Sequence, residues 1–207
     1  MKVGVVNYGM GNLGSVRRAL EDLRAEVVIA EDPQTLREVD RIILPGVGAF
    51  GEGMARLRSG GWVDALRAQV EESGTPLLGI CLGMQMLGTS SAENGFSEGL
   101  GFIAGRVRRL DAIGCSLRIP HVGWNDVGFQ DGARLFHQIP QSSDFYFVHS
   151  YALEPDDPGD LCATTTYGAR LAAAVQKGHV FGTQFHPEKS SRAGRQVLRN
   201  FLDFAAC

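Results

Sequence analysis

One cysteine stands in a setting that suits a nucleophile. Cys81 directly follows the apolar run Leu77–Ile80, and Gly79 and Gly83 lie two positions to either side of it. This G-x-C-x-G pattern is typical of a nucleophile elbow, a sharp turn from strand to helix that raises the reactive side chain above a sheet. The start of the following helix would favour a thiolate. We therefore interpret Cys81 as a nucleophile, with a buried core cysteine as the alternative.

A thiol nucleophile needs a base, and His186 is the best placed of the five histidines. It follows the apolar run Val180–Phe185, and α/β sheets present their sites at the carboxyl ends of strands. Glu188 lies two residues further on, with Pro187 between them, so we expect an extended segment in which the carboxylate orients the imidazole. The H-x-E spacing could also bind a metal ion, but no third ligand with suitable spacing follows. We therefore expect neither a metal nor a cofactor.

Attack of a thiolate on an amide creates an oxyanion, which needs N–H donors. The backbone N–H of Leu82, directly after the nucleophile, is the first candidate. The second lies in the loop Pro45–Gly48, which follows the apolar run Arg41–Leu44 and is rich in glycine. We assign this role to Val47 and Gly48. Together these residues predict a Cys–His–Glu enzyme of acyl transfer.

The first half of the chain has the pattern of elements that such a site requires. Short runs rich in Val and Ile alternate with amphipathic stretches, which is typical of parallel strands covered by helices on both faces. The predicted strands are Lys2–Asn7, Glu26–Ala30, Arg41–Leu44 and Thr75–Ile80, and the predicted helices are Leu13–Arg24 and a segment within Trp62–Ser73.

In the second half, strand-like segments are separated by Gly, Asn or Asp turns, which favours antiparallel pairing. These segments are Gly105–Leu110, Ser116–Val122, Phe145–Ala152, Leu171–Gln176 and Val180–Phe185. A last helix is predicted from about Ser191 to Phe204, with Ser190 or Ser191 as its N-cap. No linker is long or polar enough to divide the chain. We predict a single α/β domain over residues 1–207, with a mixed, mostly parallel central sheet and helices on both faces.

Composition excludes several classes of function. The 20 Lys and Arg against 23 Asp and Glu give a net charge of −3, which disfavours a nucleic-acid partner. No apolar run approaches the roughly 18 residues needed to cross a bilayer, and Met1–Asn7 is too short an apolar run for a signal peptide, so we expect a cytoplasmic protein without a membrane partner. The other cysteines, Cys115, Cys162 and Cys207, lack the spacing of a zinc site or disulfide framework, and we expect small buried side chains.

A glycine pattern suggests another function. Residues Gly9–Gly14 form G-x-G-x-x-G between a predicted strand and helix, and Glu31 ends the next strand, as in dinucleotide-binding proteins. However, 27 of the 207 residues are Gly, and a second copy of the pattern occurs at Gly46–Gly51, so chance matches are expected. Asn7 and Tyr8 would also crowd a pyrophosphate. NAD binding remains the alternative to acyl transfer.

Several segments resemble a known family, the class I (triad) glutamine amidotransferases. GICLGMQ at residues 79–85 and HPE at 186–188 are similar to the motifs of that class. Within it, five further segments resemble the glutaminase subunits of imidazole glycerol phosphate synthase. They are NYGMGN at 7–12, PGVGAF at 45–50, PHVGWN at 120–125, YFVHSY at 146–151 and EKS at 188–190. The matches occur in the family's order and depart from it at no functional position.

The resemblance implies a flavodoxin-like amidotransferase fold and a glutaminase reaction. Cys81 would attack the glutamine carboxamide, His186 would carry a proton to the departing ammonia, and Glu188 would orient His186. The resemblance also implies that Gln85 and the backbone around Gly48 and His149–Ser150 hold the glutamine.

The partner implied by the resemblance is a cyclase subunit in a heterodimer. It would use the ammonia to make imidazole glycerol phosphate and aminoimidazole carboxamide ribotide in histidine biosynthesis. The family's interface residues match Asn12, Pro120, Trp124, Tyr146 and Lys189, although residue types alone favour a buried turn position for Trp124 and a core position for Tyr146. A subunit serving anthranilate, aminodeoxychorismate or guanylate synthesis is the other interpretation, and the segments at 7–12 and 120–125 argue against it.

Overall fold

The computed structural model of the protein describes residues 1–205, and most of its strands join one central sheet. In chain order the strands are β1 (Lys2–Val6), β2 (Glu26–Ala30), β3 (Arg41–Gly46), β4 (Leu77–Cys81), β5 (Ser90–Ser91), β6 (Ser97–Glu98), β7 (Gly105–Arg109), β8 (His121–Phe129), β9 (Ser143–His149), β10 (Tyr151–Pro155), β11 (Leu161–Thr166), β12 (Arg170–Lys177) and β13 (Val180–Thr183). The helices are α1 (Leu13–Glu21), α2 (Phe50–Ser59), α3 (Trp62–Arg67), α4 (Leu82–Met86) and α5 (Ser191–Leu202).

The central sheet has the strand order β2-β1-β3-β4-β13-β12-β11-β8-β9. The strands from β2 to β13 run parallel, and those beyond β13 pair antiparallel. β4 and β13 are neighbours, with Ile80 opposite Thr183. Because both strands run in the same direction, their carboxyl ends bring the residues that follow them to one edge of the sheet.

A second, smaller sheet has the order β10-β7-β5-β6. The chain passes from β9 in the central sheet to β10 in the small sheet through a single residue, Ser150, whose carbonyl accepts a hydrogen bond from the N–H of Leu110. Leu153 of β10 and Val107 of β7 are buried in the same apolar cluster as α2 and α3. The small sheet therefore covers part of one face of the central sheet.

The core lies in two layers, one on each face of the central sheet. Val3 and Val5 of β1 pack with α1 and α5 on one face, whereas Ile42 and Leu44 of β3 pack with α2 and α3 on the other. Burial on both faces accounts for the nearly continuous apolar character of these strands. No helix within residues 1–205 is both long and apolar enough to cross a membrane.

The predicted α/β fold with a mixed sheet and helices on both faces is confirmed. Two predicted strands are wrong in their bounds. Ser116–Val122 was expected to be a strand, but β8 begins only at His121, after Pro120, which has no N–H to donate to a ladder. Phe145–Ala152 is two strands, because the chain changes sheets at Ser150.

Four elements were not predicted at all, namely α2, β11 and the two-residue strands β5 and β6. Helix α2 contains Gly51 and Gly53, which are poor helix formers and weaken the helical signal. Strand β11 is rich in threonine and has little apolar character, so it lacks the pattern of a buried strand. The predicted domain extends to Cys207, which lies outside the described residues.

Candidate active site

Cys81 occupies a strained turn between β4 and α4. Its φ is +55° and its ψ is −110°, a conformation that costs a residue with a side chain about 1–3 kcal/mol. The turn also brings backbones very close together. A Cβ on Gly79 would lie 2.7 Å from the backbone of Gly83, and a Cβ on Gly83 would lie 1.8 Å from the carbonyl oxygen of Leu44. The G-x-C-x-G pattern therefore forms the elbow that was predicted from it.

His186 and Glu188 are joined by a hydrogen bond of 2.8 Å between Nδ1 and Oε1, with side chains only 5% and 2% exposed. We predicted an extended segment between these residues, and this prediction is wrong. Pro187–Lys189 forms a 3-10 turn, and this turn brings the carboxylate back to the imidazole. Ser190 fixes the turn, because its hydroxyl donates to the carbonyl of His186 and accepts from the N–H of Tyr146. Ser190 occupies the N-cap position of α5, which is one of the two positions that we predicted. Because its hydroxyl is used in the turn, its side chain does not cap the helix.

The electrostatics favour a protonated His186. Burial lowers the pKa of His186, but hydrogen bonds to Cys81 and Glu188, and the negative charges of both, outweigh this effect and raise the pKa from 6.5 to about 9. An imidazolium next to the sulfur stabilises a thiolate. The pair can therefore supply both a nucleophile and a proton for a leaving group.

Most of the predicted site residues line one cavity of about 380 Å³. Its walls are formed by Val47, Gly48, Cys81, Leu82, Gln85, Glu93, Pro120, Val148, His149, Ser150, Tyr151, His186 and Lys189. The cavity thus collects the predicted nucleophile and base, the oxyanion candidates, the predicted glutamine contacts and two predicted interface residues. Glu188 lies behind His186 and is absent from these walls.

Gln85 has less freedom than its predicted role implies. Its side-chain amide nitrogen donates to the carbonyl of Tyr151 at 2.9 Å and to Oε1 of Gln184 at 3.0 Å, so both of its protons are used. The ring of His149 is also engaged, because Nδ1 lies 2.8 Å from the carbonyl of Tyr151 and Nε2 lies 3.0 Å from Nδ1 of His121. A ligand would meet the carbonyl oxygen of Gln85 and the backbone of His149 and Ser150.

Glu93 is a cavity residue that was not predicted from the sequence. Its carboxylate accepts a hydrogen bond of 2.7 Å from the N–H of Phe50, the first residue of α2. This contact joins the turn between β5 and β6 to the end of the Pro45–Gly48 loop. No spacing rule connects two residues so far apart in the chain, so no sequence signal was available for it.

Of the predicted interface residues, Pro120 and Lys189 line the cavity, whereas Trp124 and Tyr146 lie on the paired strands β8 and β9. Trp124 of β8 is paired in register with Tyr146 of β9, with their rings in edge contact at 6.0 Å. Trp124 is 53% exposed, so the expectation of a buried turn residue is wrong. Val122 and Val148 lie opposite each other on the same outward face and are also exposed. We call Val122, Trp124, Tyr146 and Val148 the β8–β9 patch.

Asn12 is exposed at the start of α1, where its side chain accepts a hydrogen bond from the N–H of Ser15. The glycine loop before it packs against the predicted oxyanion loop. A Cβ on Gly11 would lie 3.3 Å from the Pro45 ring, and one on Gly48 would lie 2.8 Å from the methyl group of Met10. The Gly9–Gly14 pattern therefore belongs to a loop that packs directly beside the predicted oxyanion loop.

Comparisons with known proteins agree with this geometry. Residues 4–204 match the family described as glutamine amidotransferase class-I. The chain is 48% identical over 199 residues to the HisH subunit of imidazole glycerol phosphate synthase from Moorella thermoacetica, covering 96% of this chain and 93% of that protein. It is also 48% identical over 208 residues to HisH from Methylococcus capsulatus, covering 97% and 95%.

Solved structures share the fold. A glutamine amidotransferase aligns with a TM-score of 0.76 at 24% identity, covering 97% of both chains. A chain of the structure of PurLQS from Thermotoga maritima aligns with a TM-score of 0.74 at 21% identity, covering 98% of this chain and 97% of that chain. The family match and the curated relatives go further than the fold. This chain belongs to the class I glutamine amidotransferases and, within them, to the family of HisH subunits.

Proposed function

We propose that this protein, acting as one domain, is the cytoplasmic glutaminase subunit of imidazole glycerol phosphate synthase. It hydrolyses L-glutamine and passes the ammonia to a cyclase subunit in histidine biosynthesis. The observation that carries the proposal is the 2.8 Å bond between His186 and Glu188, next to a strained Cys81 in the same cavity. The curated relatives carry the name of that subunit.

In the first step the Cys81 thiolate attacks the carboxamide carbon of glutamine and forms an S–C bond. The carbonyl oxygen becomes an oxyanion, which the N–H groups of Leu82 and of the Val47–Gly48 segment stabilise. The C–N bond then breaks as the His186 imidazolium gives its proton to the nitrogen, so ammonia leaves and a glutamyl thioester remains.

The second step returns the enzyme to its starting state. Neutral His186 takes a proton from water, the resulting hydroxide attacks the thioester carbon, and the C–S bond breaks to give the thiolate and the γ-carboxylic acid, which loses its proton to solvent as glutamate. Glu188 keeps the imidazole oriented through both steps and stabilises its charged form, in the role that a carboxylate has in other triads.

Charge complementarity gives Glu93 a role in binding. Free glutamine carries an α-ammonium group, and the Glu93 carboxylate lines the cavity with one oxygen bound to Phe50. The other oxygen is the natural partner of the ammonium group. The carbonyl oxygen of Gln85 and the backbone of His149–Ser150 would contact the rest of the substrate.

The β8–β9 patch is the surface that we propose for the cyclase. Exposed aromatic and branched side chains in one patch are typical of protein interfaces. Pro120 and Lys189 line the cavity, and Asn12 is exposed at the start of α1. A partner seated on this surface would cover the cavity, so that ammonia could pass to the cyclase without entering bulk water.

Three measurements test the proposal. A diazoketone analogue of glutamine should label Cys81, with the site mapped by mass spectrometry, and labelling elsewhere or none would refute the nucleophile. Glutamate release should be slow for the isolated subunit and rise when the cyclase and its nucleotide are added. Equal rates would refute the coupling to a cyclase. Cys81→Ala should abolish glutamine-dependent synthesis by the complex and leave ammonia-dependent synthesis intact.

A further inference from the structure

The sulfur of Cys81 has two further neighbours, and they favour opposite protonation states. The carbonyl oxygen of Val148 lies 3.7 Å from Sγ and can only accept, so it favours the neutral thiol. The side-chain amide Nε2 of Gln184 lies 3.8 Å from Sγ and donates, so it favours the thiolate. Gln184 is therefore the neighbour, besides His186, whose hydrogen bond strengthens when the nucleophile forms.

The orientation of the Gln184 amide is fixed by its other end. Oε1 of Gln184 accepts a hydrogen bond of 3.0 Å from Nε2 of Gln85, which has no lone pair to offer in return. Because Gln85 can only donate through this nitrogen, Nε2 of Gln184 must face the sulfur. Gln184 is 0% exposed and Gln85 is 5% exposed, so water does not compete for these groups.

Gln85 is fixed in turn by a chain of buried polar groups. Its second amide proton goes to the carbonyl of Tyr151, which also receives Nδ1–H of His149. Nε2 of His149 then accepts from Nδ1–H of His121, and Nε2 of His121 lies 3.3 Å from the side-chain nitrogen of Asn125. Every donor in this chain meets an acceptor, so only one arrangement of the amides satisfies it.

We propose that Gln184 is a catalytic residue of the glutaminase reaction, which donates a hydrogen bond to the Cys81 thiolate, and that Gln85 is the positioning residue that orients it. This inference rests on the proposed function, because it presumes that Cys81 is the nucleophile. Gln184 lies one residue beyond the end of β13, level with Cys81 across the parallel pair of β13 and β4. The register of two central strands therefore holds donor and acceptor together.

The test is the rate at which iodoacetamide alkylates Cys81 in the full-length protein. Peptide mapping separates Cys81 from Cys115, Cys162 and Cys207. The titratable groups that face the sulfur are His186 and Tyr8, with Glu188 behind His186. All three are kept in every variant, so a change in rate reports on the amide alone.

We expect Gln184→Met, which keeps the length of the side chain, to slow alkylation at pH 7 by up to about tenfold, because losing one hydrogen bond to the charged sulfur shifts the thiol–thiolate balance by at most that factor. At pH 10, well above the ordinary pKa of a cysteine thiol, the rates should agree within about twofold. Gln184→Glu, which still accepts from Gln85 but cannot donate, should slow the reaction more. In the complex with the cyclase, kcat for glutamine should fall and KM should not change.

Thr183→Val is the matched control. Thr183 is also buried at the end of β13, and within residues 1–205 its hydroxyl has no hydrogen-bond partner. The control should alkylate at the wild-type rate at both pH values. If Gln184→Met does not fold, Gln85→Met replaces it, and we expect a smaller decrease at pH 7 in the same direction.

The outcomes separate this inference from the proposed function. If the glutamine analogue labels wild-type Cys81 and Gln184→Met alkylates at the wild-type rate at pH 7, the role of Gln184 is refuted and the glutaminase remains. An equal decrease at pH 7 and pH 10 would also refute it, because that is the result of a disturbed fold. If the analogue fails to label the wild type, the proposed function itself fails.

Discussion

The carbonyl oxygen of Val148 lies 3.7 Å from the sulfur of Cys81, while the side chain of the same residue is 38% exposed on the outer face of the sheet. A single residue thus connects the β8–β9 patch to the reacting atom. A partner bound on this face would contact the same residue whose carbonyl faces the sulfur. In the proposed complex, communication between the two subunits would therefore not need long-range transmission through the core.

Trp124→Ala should weaken binding of the cyclase by about 2 kcal/mol or more, because exposed tryptophans at interfaces are frequent hot spots. The stability of the free subunit should change little, since half of the side chain is already exposed. Titration calorimetry with the cyclase measures the affinity. Phe96→Ala, which removes a 78% exposed aromatic residue outside the patch, is the control and should bind normally. Unchanged affinity in Trp124→Ala would show that the β8–β9 patch is not part of the interface.

Glu188→Gln should lower kcat for glutamine by about 10²–10⁴-fold, because the imidazole loses the carboxylate that orients it and stabilises its charge. The pKa of His186 should also fall from about 9, since the hydrogen bond and the charge of Glu188 both raise it. NMR titration of the His186 ring, together with the kinetics, checks both effects. An unchanged ring titration would contradict the electrostatic role of Glu188.

The free energy of unfolding should decrease on both sides of neutral pH. Burial lowers the pKa of His149 to about 3 and that of His121 to about 4, so below pH 6.5 the unfolded chain binds protons that the folded chain does not. Stability should therefore fall as the pH drops from 6.5 toward 4, by up to about 1.4 kcal/mol per pH unit for each histidine. Burial lowers the pKa of His186, but the hydrogen bonds and charges around it outweigh burial and raise the pKa to about 9. The stability that protonated His186 contributes is therefore complete below pH 6.5 and is lost as the pH rises toward 9.

Urea denaturation at a series of pH values measures this dependence. His121→Gln should flatten the acid limb, whereas His137→Gln should leave it unchanged because His137 is exposed. A wild-type stability that is constant from pH 6.5 to 4 would show that the two buried histidines are protonated in the folded protein.

Gly83→Ala should destabilise the protein by at least about 2 kcal/mol, because its Cβ would lie 1.8 Å from the carbonyl oxygen of Leu44. Gly14→Ala is the matched change in α1, where a Cβ meets nothing within 4 Å, and it should stabilise the helix by about 0.5–1 kcal/mol. Thermal unfolding of the two variants compares them. Equal stability would mean that the elbow relaxes at little cost.

The sequence predicted those parts of the site that depend on local geometry. Cys81 ends a buried strand and His186 follows one. No residue with a side chain fits at Gly79 or Gly83, so the glycine spacing alone predicts the turn that the structure contains. Glu93 and Gln184 were missed for a different reason. The contact of Glu93 with Phe50 depends on the placement of a short hairpin, and a glutamine at the end of a strand follows no periodic pattern. The exposure of Trp124 was missed because the β8–β9 patch, although exposed, has the aromatic and branched composition of a core.

The passage of the chain between its two sheets has a consequence for engineering and for natural variation. Val148, Ser150 and Tyr151 each contribute to the cavity, and one residue separates β9 from β10. An insertion or deletion there would turn the side chains of one sheet to the wrong face, since strand register has a period of two. We therefore expect homologues to differ in the lengths of their surface loops and to keep a single residue between β9 and β10.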